Sequence, residues 1–277
     1  MNALAQAQIA NNVATEENWA AFAGHRARVT ALLRARAPVS RLCVLGAGNC
    51  NDLDLDILCA SHSEIHLIDL DAASLTKAVA RQNPRARGAI RIHAPVDVSG
   101  HLEVMARWSP ATILAADDIA RFAHGPARVA KSLPGAFQLT VSNCVLSQLM
   151  DGIADTLGTS HPRFSETVNA MRLGHLRLMA DITAPGGEAI LVTDVLSSET
   201  CPELRQACDE DLSDLLTLAV RKGNFFHGMS PAALAATLAT DPHLISAFQP
   251  PRWVKPWVWN LGFRLYLVHA VSLTRRL

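Results

Sequence analysis

The stretch that most constrains the fold runs from residue 41 to residue 52 and reads Arg-Leu-Cys-Val-Leu-Gly-Ala-Gly-Asn-Cys-Asn-Asp. Residues 42–45 have the length and apolar character of a buried strand, and an apolar helical pattern follows the polar turn. Gly46 and Gly48 lack a Cβ, so the backbone can turn sharply there and approach a ligand closely. The pattern predicts a parallel strand whose end meets a phosphate- or nucleoside-sized ligand, although a plain turn also uses Gly-x-Gly.

An acidic residue follows the second predicted strand, which lies within residues 64–71. Asp69 lies 23 residues after Gly46, near the spacing at which a carboxylate reaches a ribose bound over the first strand. A carboxylate accepts hydrogen bonds from two neighbouring hydroxyl groups, which suits this position. Asp71 is predicted to cap the helix that begins at Ala72, and the two roles are compatible.

The middle of the chain continues to alternate between strands and helices. The third strand is predicted at 89–93 and is followed by Asp97. The carboxylate of Asp97 can accept a hydrogen bond from an exocyclic amine. The fourth is predicted at 137–144, and the fifth at 188–194 after a tight turn at 185–187. This alternation predicts a parallel sheet with helices on both faces.

The N-terminal end of the chain departs from this alternation. Residues 2–37 are predicted to be one helix that Pro38 ends. Trp19 and Phe22 either pack against the sheet or cap a ligand pocket, and packing is favoured.

The last third of the chain departs from it as well. A helix is predicted at 202–222, a loop at 223–228, and a further helix from Ser230. Two strands are then predicted at 244–259 and 263–273, and their short connection requires antiparallel pairing.

Composition excludes several functional classes. Lys plus Arg equals Asp plus Glu at 25 each, so no global basic field favours nucleic acid. The six cysteines form no C-x-x-C pair and lack zinc-site spacing, so no metal site is predicted. The N-terminus lacks the features of a signal peptide, and no stretch of about 18 residues is apolar and uncharged. We expect a cytoplasmic protein without a membrane partner.

Taken together, these segments resemble the class I S-adenosylmethionine-dependent methyltransferases over about residues 40–273. The resemblance implies an α/β fold, a Rossmann-like doubly wound sheet of seven strands with helices on both faces. That sheet is mostly parallel and ends in a C-terminal antiparallel hairpin. Five positions carry the resemblance in order: 44–48, 67–71, Asp97, 141–146 and 185–192.

The resemblance also implies a domain organisation. Residues 1–38 form an N-terminal helical cap, and residues 39–277 form the methyltransferase domain. Within that domain, 150–183 and 197–230 are expected to be insertions on the lid or substrate side.

The implied cofactor is S-adenosylmethionine. By the resemblance, Gly46 and Gly48 admit its methionine part, Asp69 holds its ribose, and Asp97 contacts its adenine. The cofactor-binding residues implied in this way are Gly46, Ala47, Gly48, Asn51, Asp52, Asp69, Leu70, Asp97, Val98, Ser142 and Asn143.

Two residues depart from the family's first motif. Val44 stands where the family often has an acidic residue, and Cys50 stands at the third glycine position. The missing carboxylate usually helps to orient the cofactor's amino group. Asn51 or Asp52 is expected to replace it, or Asp52 instead complements the dipole of the following helix.

The implied reaction is methyl transfer to an oxygen or nitrogen of a small molecule or peptide. Ser142-Asn143-Cys144 differs from the Asn/Asp-Pro-Pro-aromatic segment of DNA amine methyltransferases, which disfavours that acceptor. Asn143 is expected near the transferred methyl group. Among eleven histidines, His227 is the first candidate for a general base, followed by His161 and His175.

An aromatic set has two interpretations: it lines an acceptor pocket, or its tryptophans pack the terminal strands, which is favoured. The set is Trp253, Trp257, Trp259, Phe225 and Phe226.

Two other functions remain open. A nicotinamide-dependent oxidoreductase would need glycine at Asn51 to complete Gly-x-Gly-x-x-Gly. A cofactor-binding protein without turnover, or a partner subunit, would be consistent with Val44 and Cys50. A homodimer is also left open.

Overall fold

The computed structural model describes residues 2–36 and 38–277, which are built around one seven-stranded sheet. Its order is β3-β2-β1-β4-β5-β7-β6. The strands from β1 to β5 pair in parallel, β7 is antiparallel to β5, and β6 is antiparallel to β7. The predicted α/β class and antiparallel hairpin are therefore confirmed. The strands are β1 (Val39–Leu45), β2 (His62–Ile68), β3 (Ile90–His93), β4 (Phe137–Asn143), β5 (Thr183–Ser197), β6 (Arg252–Asn260) and β7 (Leu265–Thr274).

Helices cover both faces of the sheet. As a result, alternate residues of β1 pack into different apolar clusters. Cys43 and Leu45 join one apolar cluster, and Leu42 and Val44 join the other. The helices are α1 (Ala3–Thr15), α2 (Ala23–Arg34), α3 (Leu55–Ser61), α4 (Ala72–Ala80), α5 (Pro84–Ala89), α6 (Leu102–Met105), α7 (Ala116–Phe122), α8 (Pro126–Ser132), α9 (Val145–Leu157), α10 (Phe164–Ile182), α11 (Leu212–Arg221), α12 (Pro231–Thr240) and α13 (Pro242–Ala247). Within the described ranges, none of these helices is long and apolar enough to cross a membrane.

The prediction of a single helix over residues 2–37 is wrong, because residues 16–22 separate α1 from α2. The side-chain amide of Asn49 donates a hydrogen bond to the Asn12 carbonyl oxygen, and that of Asn51 donates one to the Thr15 carbonyl oxygen. These tertiary contacts satisfy the last carbonyl groups of α1 and end the helix. Met1 and Ala37, which belong to the predicted cap, lie outside the described residues.

The helix predicted for 202–222 is also interrupted. A short 3₁₀ helix spans Pro202–Arg205, and residues 206–211 leave helical geometry before α11. Within this break, Asp209 forms an ion pair with Arg28 of α2 (2.9 Å).

The strand predicted to begin at residue 244 begins at Arg252 instead. Residues 242–247 form α13, because Asp241 accepts a hydrogen bond from the Leu244 amide (3.0 Å) and Pro242 occupies the first helical position. The Asp-Pro signal was present in the sequence and outweighs the apolar alternation that follows it.

The predicted turn at 185–187 lies within β5. Thr183 pairs with Phe137 and Glu188 with Leu139, so β5 carries an irregularity opposite β4. Residues 158–163 separate α9 from α10.

Candidate functional site

The glycine turn follows the carboxyl end of β1 and lies against two helices, α9 and α1. Gly46 and Gly48 have φ angles of 73° and 47°, which glycine adopts without strain. A Cβ on Gly46 would come within 2.6 Å of the Cβ of Val145, at the start of α9. A Cβ on Gly48 would come within 2.8 Å of Asn12 Oδ1 on α1. Close approach and backbone conformation therefore both require glycine at 46. At 48 the backbone conformation requires it, because the end of the Asn12 side chain can move aside.

Two carboxylates follow β2, and they have different partners. Asp69 accepts hydrogen bonds from the Gly48 and Asp71 amides (2.8 Å each), and burial raises its pKa. Asp71 accepts from the amides of Ala73 and Ser74 (3.0 Å each), so its predicted role as the cap of α4 is confirmed. Each oxygen of Asp69 has made one bond and can accept another. Asp69 is thus fixed in position and still able to bind a hydroxyl.

Asp97, which follows β3, organises its own loop. It accepts from the Ser99 amide (2.9 Å), the Ser99 hydroxyl (2.6 Å) and the Leu102 amide (2.8 Å). A carboxylate offers about four acceptor positions, so one remains for a ligand. The sequence indicated a ligand contact here but did not indicate this structural role at the start of α6.

A small cleft of about 40 Å³ lies between these strand ends and α1. This volume is well below the roughly 300–1,000 Å³ of small-molecule sites, so α1 nearly closes the cleft. Six of the residues predicted to bind the cofactor line it: Gly46, Gly48, Asp69, Leu70, Asp97 and Val98.

Residues that the sequence did not indicate complete the lining. They come from two helices, α1 and α9. They include Gln8, Ile9, Asn12, Val145, Gln148 and Leu149. No local motif marks these positions, although Val145 and Leu149 belong to the helix that follows the predicted fourth strand.

The other predicted cofactor residues lie outside this lining within the described chain: Ala47, Asn51, Asp52, Ser142 and Asn143. Ser142 is hydrogen-bonded through its hydroxyl to His175 Nε2 (2.7 Å). Asn143 donates its side-chain amide to Asp52 and so joins the end of β4 to the glycine turn. In the part of the chain described, the Oδ1 atoms of Asn51 and Asn143 are buried and have no hydrogen-bond partner. These orphaned acceptors mark a second polar group beside the turn.

Two carboxyl groups, half-buried Asp52 and buried Asp194, accompany this polar group. Loss of water raises the pKa of Asp52 to about 7, and the nearby Asp69 carboxylate also raises it. Burial raises the pKa of Asp194, at the carboxyl side of β5, to about 6, and Asp194 accepts a bond from Ser147 (2.6 Å). Asp54 caps α3 through the Ile57 amide (3.0 Å), so the start of that helix has its own carboxylate. The start of α3 is therefore capped without Asp52, whose side chain accepts from Asn143 instead.

The histidine candidates lie away from the cleft. His227 is exposed, and its ring meets Phe164 edge to face at 5.2 Å. His161 is bonded to the Thr112 carbonyl group (2.8 Å), and burial lowers the pKa of His175 to about 4. None of the three lines the cleft within the described residues, and a catalytic role for His227 or Asn143 stays a prediction.

The tryptophans of the last strands mostly pack within the protein. Trp257 donates its ring N–H to His25 (3.1 Å), and Trp259 stacks on the same ring at 4.6 Å. Phe22 is buried against Trp259 at 5.0 Å, which agrees with the favoured packing interpretation. Trp19 is instead 46% exposed and lies beneath the Arg26 guanidinium group. The prediction that Trp19 is a core residue is wrong.

The chain matches no protein-family model and no curated protein. Solved structures resemble it at low sequence identity. An O-methyltransferase family protein from Burkholderia thailandensis is 12% identical, with a TM-score of 0.46, over 98% of this chain and 60% of that one. Human N-acetylserotonin methyltransferase, solved with S-adenosylmethionine, is 12% identical, with a TM-score of 0.47, over 99% and 57%. An arsenic(III) S-adenosylmethionine methyltransferase from Chlamydomonas reinhardtii is 15% identical, with a TM-score of 0.38, over 92% and 74%.

The strand order of the sheet defines the fold class. The order 3-2-1-4-5-7-6, with β7 antiparallel between β5 and β6, is typical of the class I methyltransferase fold. The glycine turn and Asp69 lie at the carboxyl ends of adjacent β1 and β2, where open α/β sheets bind their ligands. The chain therefore has a class I methyltransferase fold. It spans 60% and 57% of the Burkholderia and human proteins.

Proposed function

We propose that this chain is an S-adenosylmethionine-dependent methyltransferase that acts on an oxygen or nitrogen of a small molecule or peptide. The observation that carries the proposal is the position of Asp69. Its carboxylate is fixed by the Gly48 and Asp71 amides (2.8 Å each) and borders the cleft at the carboxyl end of the sheet. A carboxylate in this position is suited to bind the two hydroxyl groups of a ribose.

The polar groups near the cleft fit the proposed cofactor. Asp69 and Asp97 offer acceptors for ribose hydroxyls and an exocyclic amine. Beside the turn, the Asp52 carboxyl group and the orphaned Oδ1 atoms of Asn51 and Asn143 offer acceptors for a cation. When bound, S-adenosylmethionine supplies a methyl group that is activated by a positively charged sulfur atom. The chain's residues orient that group and exclude water from it.

The proposal assigns the cofactor's amino group to Asp52 and Asn143. The acidic residue expected two positions before Gly46 is replaced by Val44, whose side chain is buried in the apolar cluster. The bond between Asp52 and Asn143 joins the segment after the glycine turn to the end of β4. An ammonium group placed there would meet a carboxylate and an unpartnered amide oxygen.

Two ligands test the assignment of the amino group independently of the identity of the cofactor. S-adenosylhomocysteine carries the amino-acid part, whereas 5′-methylthioadenosine lacks it. Asp52→Asn should weaken S-adenosylhomocysteine binding about ten- to a hundredfold, which is the value of a hydrogen bond to a charged group, and leave 5′-methylthioadenosine unaffected. Equal affinities of wild type and variant for both ligands would exclude Asp52 as the ammonium partner.

Titration calorimetry tests the cofactor itself. We expect heat with S-adenosylmethionine and none with NADPH, because the turn carries buried Asn51 where a dinucleotide motif needs glycine. Binding of NADPH alone would overturn the proposal. A methylation assay against hydroxyl and amine metabolites and short peptides then separates an enzyme from a cofactor-binding protein without turnover.

A further inference from the structure

The helix α1 forms the outer wall of the proposed cofactor cleft. Gln8, Ile9 and Asn12 belong to its lining. Asn12 lies against Gly48 and donates its side-chain amide to Asp71 Oδ2 (3.3 Å). A ligand bound between Asp69 and this wall would therefore be enclosed by α1.

The C-terminal end of α1 is held by polar contacts. Asn51 Nδ2 donates to the Thr15 carbonyl oxygen (2.7 Å). Just beyond the helix, Glu16 forms ion pairs with Lys77 (2.9 Å) and Arg81 (3.2 Å) of α4, and both cations are about half exposed. Exposed ion pairs contribute little to stability because water and salt screen them.

The N-terminal end of α1 is attached in the same manner. Asn2 Nδ2 donates to Glu103 Oε1 (3.2 Å) and to the Leu102 carbonyl oxygen (3.4 Å) on α6. Both attachments are thus polar side-chain contacts of modest individual strength.

Little apolar surface holds α1 between these two ends. Of its 13 residues only Ala5 is buried, and Val13 is 64% exposed. In α2, by contrast, Val29 and Leu33 are fully buried. Segments with few buried apolar contacts open at a free energy far below that of global unfolding. The structure therefore allows α1 to leave the cleft while the sheet stays folded.

The side chains on α1 also complement the other groups of the cleft. The remaining polar side chains of the lining are Asp69, Asp71, Asp97 and Gln148. Three of these are carboxylates, which only accept hydrogen bonds when ionised. Gln8 and Asn12 add amide N–H groups, which can donate hydrogen bonds to a ribose oxygen or to the cofactor's own carboxylate.

We propose that α1 is a lid that opens to admit the cofactor and closes on it, with Asn12 and Gln8 as cofactor-contacting residues. This inference rests on the proposed function. Closure adds donors to the site and shields the bound cofactor from water, as lids do in other enzymes.

Hydrogen exchange on the full chain, with S-adenosylhomocysteine as the ligand, tests the motion. Without ligand, amides of residues 6–15 should exchange faster than those of α2, and saturating ligand should slow them at least about tenfold, equivalent to 1.4 kcal/mol. Exchange in α1 as slow as in α2 without ligand would overturn the lid. So would ligand binding that leaves α1 exchange unchanged. If calorimetry detects no ligand binding at all, the proposed function fails first and this inference with it.

Two matched pairs of variants test the contacts. Asn12→Ala should weaken S-adenosylhomocysteine binding about fivefold or more, whereas Asn11→Ala, on the exposed side of α1, should not. Glu16→Gln should raise the association and dissociation rates of the ligand together, because α1 opens more often when its ion pairs with Lys77 and Arg81 are weakened. Glu17→Gln should change neither rate. Equal effects within either pair would contradict the proposal. Circular dichroism confirms that each variant is folded.

Discussion

At the scale of single residues, the glycine turn is the best determined part of the site. Gly46 meets Val145, Gly48 meets Asn12, and the Gly48 amide orients Asp69. The two strand ends and two helices therefore meet around three residues. A change at any of these three should affect packing and ligand binding together.

Gly46→Ala should destabilise the protein by about 2 kcal/mol or more, because its Cβ would lie 2.6 Å from that of Val145 and its φ is 73°. Gly24→Ala is the matched control, since no atom lies within 4 Å of the added Cβ and Gly24 is in α2. It should stabilise the protein by roughly 0.5–1 kcal/mol. Urea unfolding measures both. A neutral Gly46→Ala would mean that the turn is not closely packed.

Asp69→Ala should weaken S-adenosylhomocysteine binding by about 1–3 kcal/mol, because ribose hydroxyls would lose their acceptor. It also removes the acceptor of the Gly48 and Asp71 amides. Asp69→Asn keeps one side-chain acceptor oxygen and should lose less. Calorimetry on both variants measures the difference, and unchanged affinity in Asp69→Ala would show that Asp69 does not hold the ribose.

The raised pKa of Asp52, about 7, predicts two opposite pH dependences. Its folded value exceeds the unfolded one, so its contribution to stability is present at low pH and is lost as pH rises from about 4 through 7. Asp52→Asn removes this contribution, so the wild type should become less stable relative to the variant over that interval. Affinity for S-adenosylhomocysteine should instead rise with pH through about 7 in wild type only, because the ionised carboxylate binds the ammonium group. Urea unfolding and calorimetry at four pH values measure both, and parallel profiles for the two proteins would contradict this role.

At the scale of elements, local signals predicted most strands and the ends of many helices. Residues 42–45, 64–71 and 89–93 contain apolar runs that end in polar turns, and each corresponds to a parallel strand. Where the prediction failed, another physical effect decided the outcome. Asn49 and Asn51 end α1 from a distance of more than thirty residues along the chain, which no local pattern reveals.

Asp241 provides a test of the local signal at α13. Its carboxylate caps that helix through the Leu244 amide and also pairs with Arg177 on α10 (2.6 Å). Asp241→Ala should lower the free energy of unfolding by about 1–3 kcal/mol, because both the cap and the ion pair are lost. Asp241→Asn retains the cap and should lose less. Urea unfolding measures both variants, and equal losses would mean that the cap contributes nothing.

At the scale of the whole molecule, the class of the sheet and the direction of its strands were predictable, whereas the full lining of the cleft was not. Gly46, Asp69 and Asp97 are close in space because parallel strands bring their carboxyl ends to one edge, and spacing in sequence is sufficient to predict this. The wall formed by Gln8 and Asn12 depends on where a separate helix docks. That docking uses a few polar contacts without a sequence signature.

Ligand binding should stabilise the whole fold, since the cleft joins residues from α1 to α9. At a hundredfold excess over Kd, S-adenosylhomocysteine should add about 2.7 kcal/mol to the free energy of unfolding. The corresponding rise in Tm is roughly 5–10 °C for a chain of this length. Differential scanning fluorimetry measures the shift, with NADPH as the control. An equal rise with NADPH would show that the cleft does not discriminate between the two cofactors.

The antiparallel strand β7 also constrains how the protein can be made. It lies between β5 and β6, and β6 pairs with β7 alone among the named strands. During synthesis β6 leaves the ribosome before its only partner exists, and the edge of β5 stays open for the same interval. The sheet is therefore complete only when β7 has paired on both sides, with β5 and with β6. Until then, the nascent chain exposes two unpaired edges to aggregation or to a chaperone.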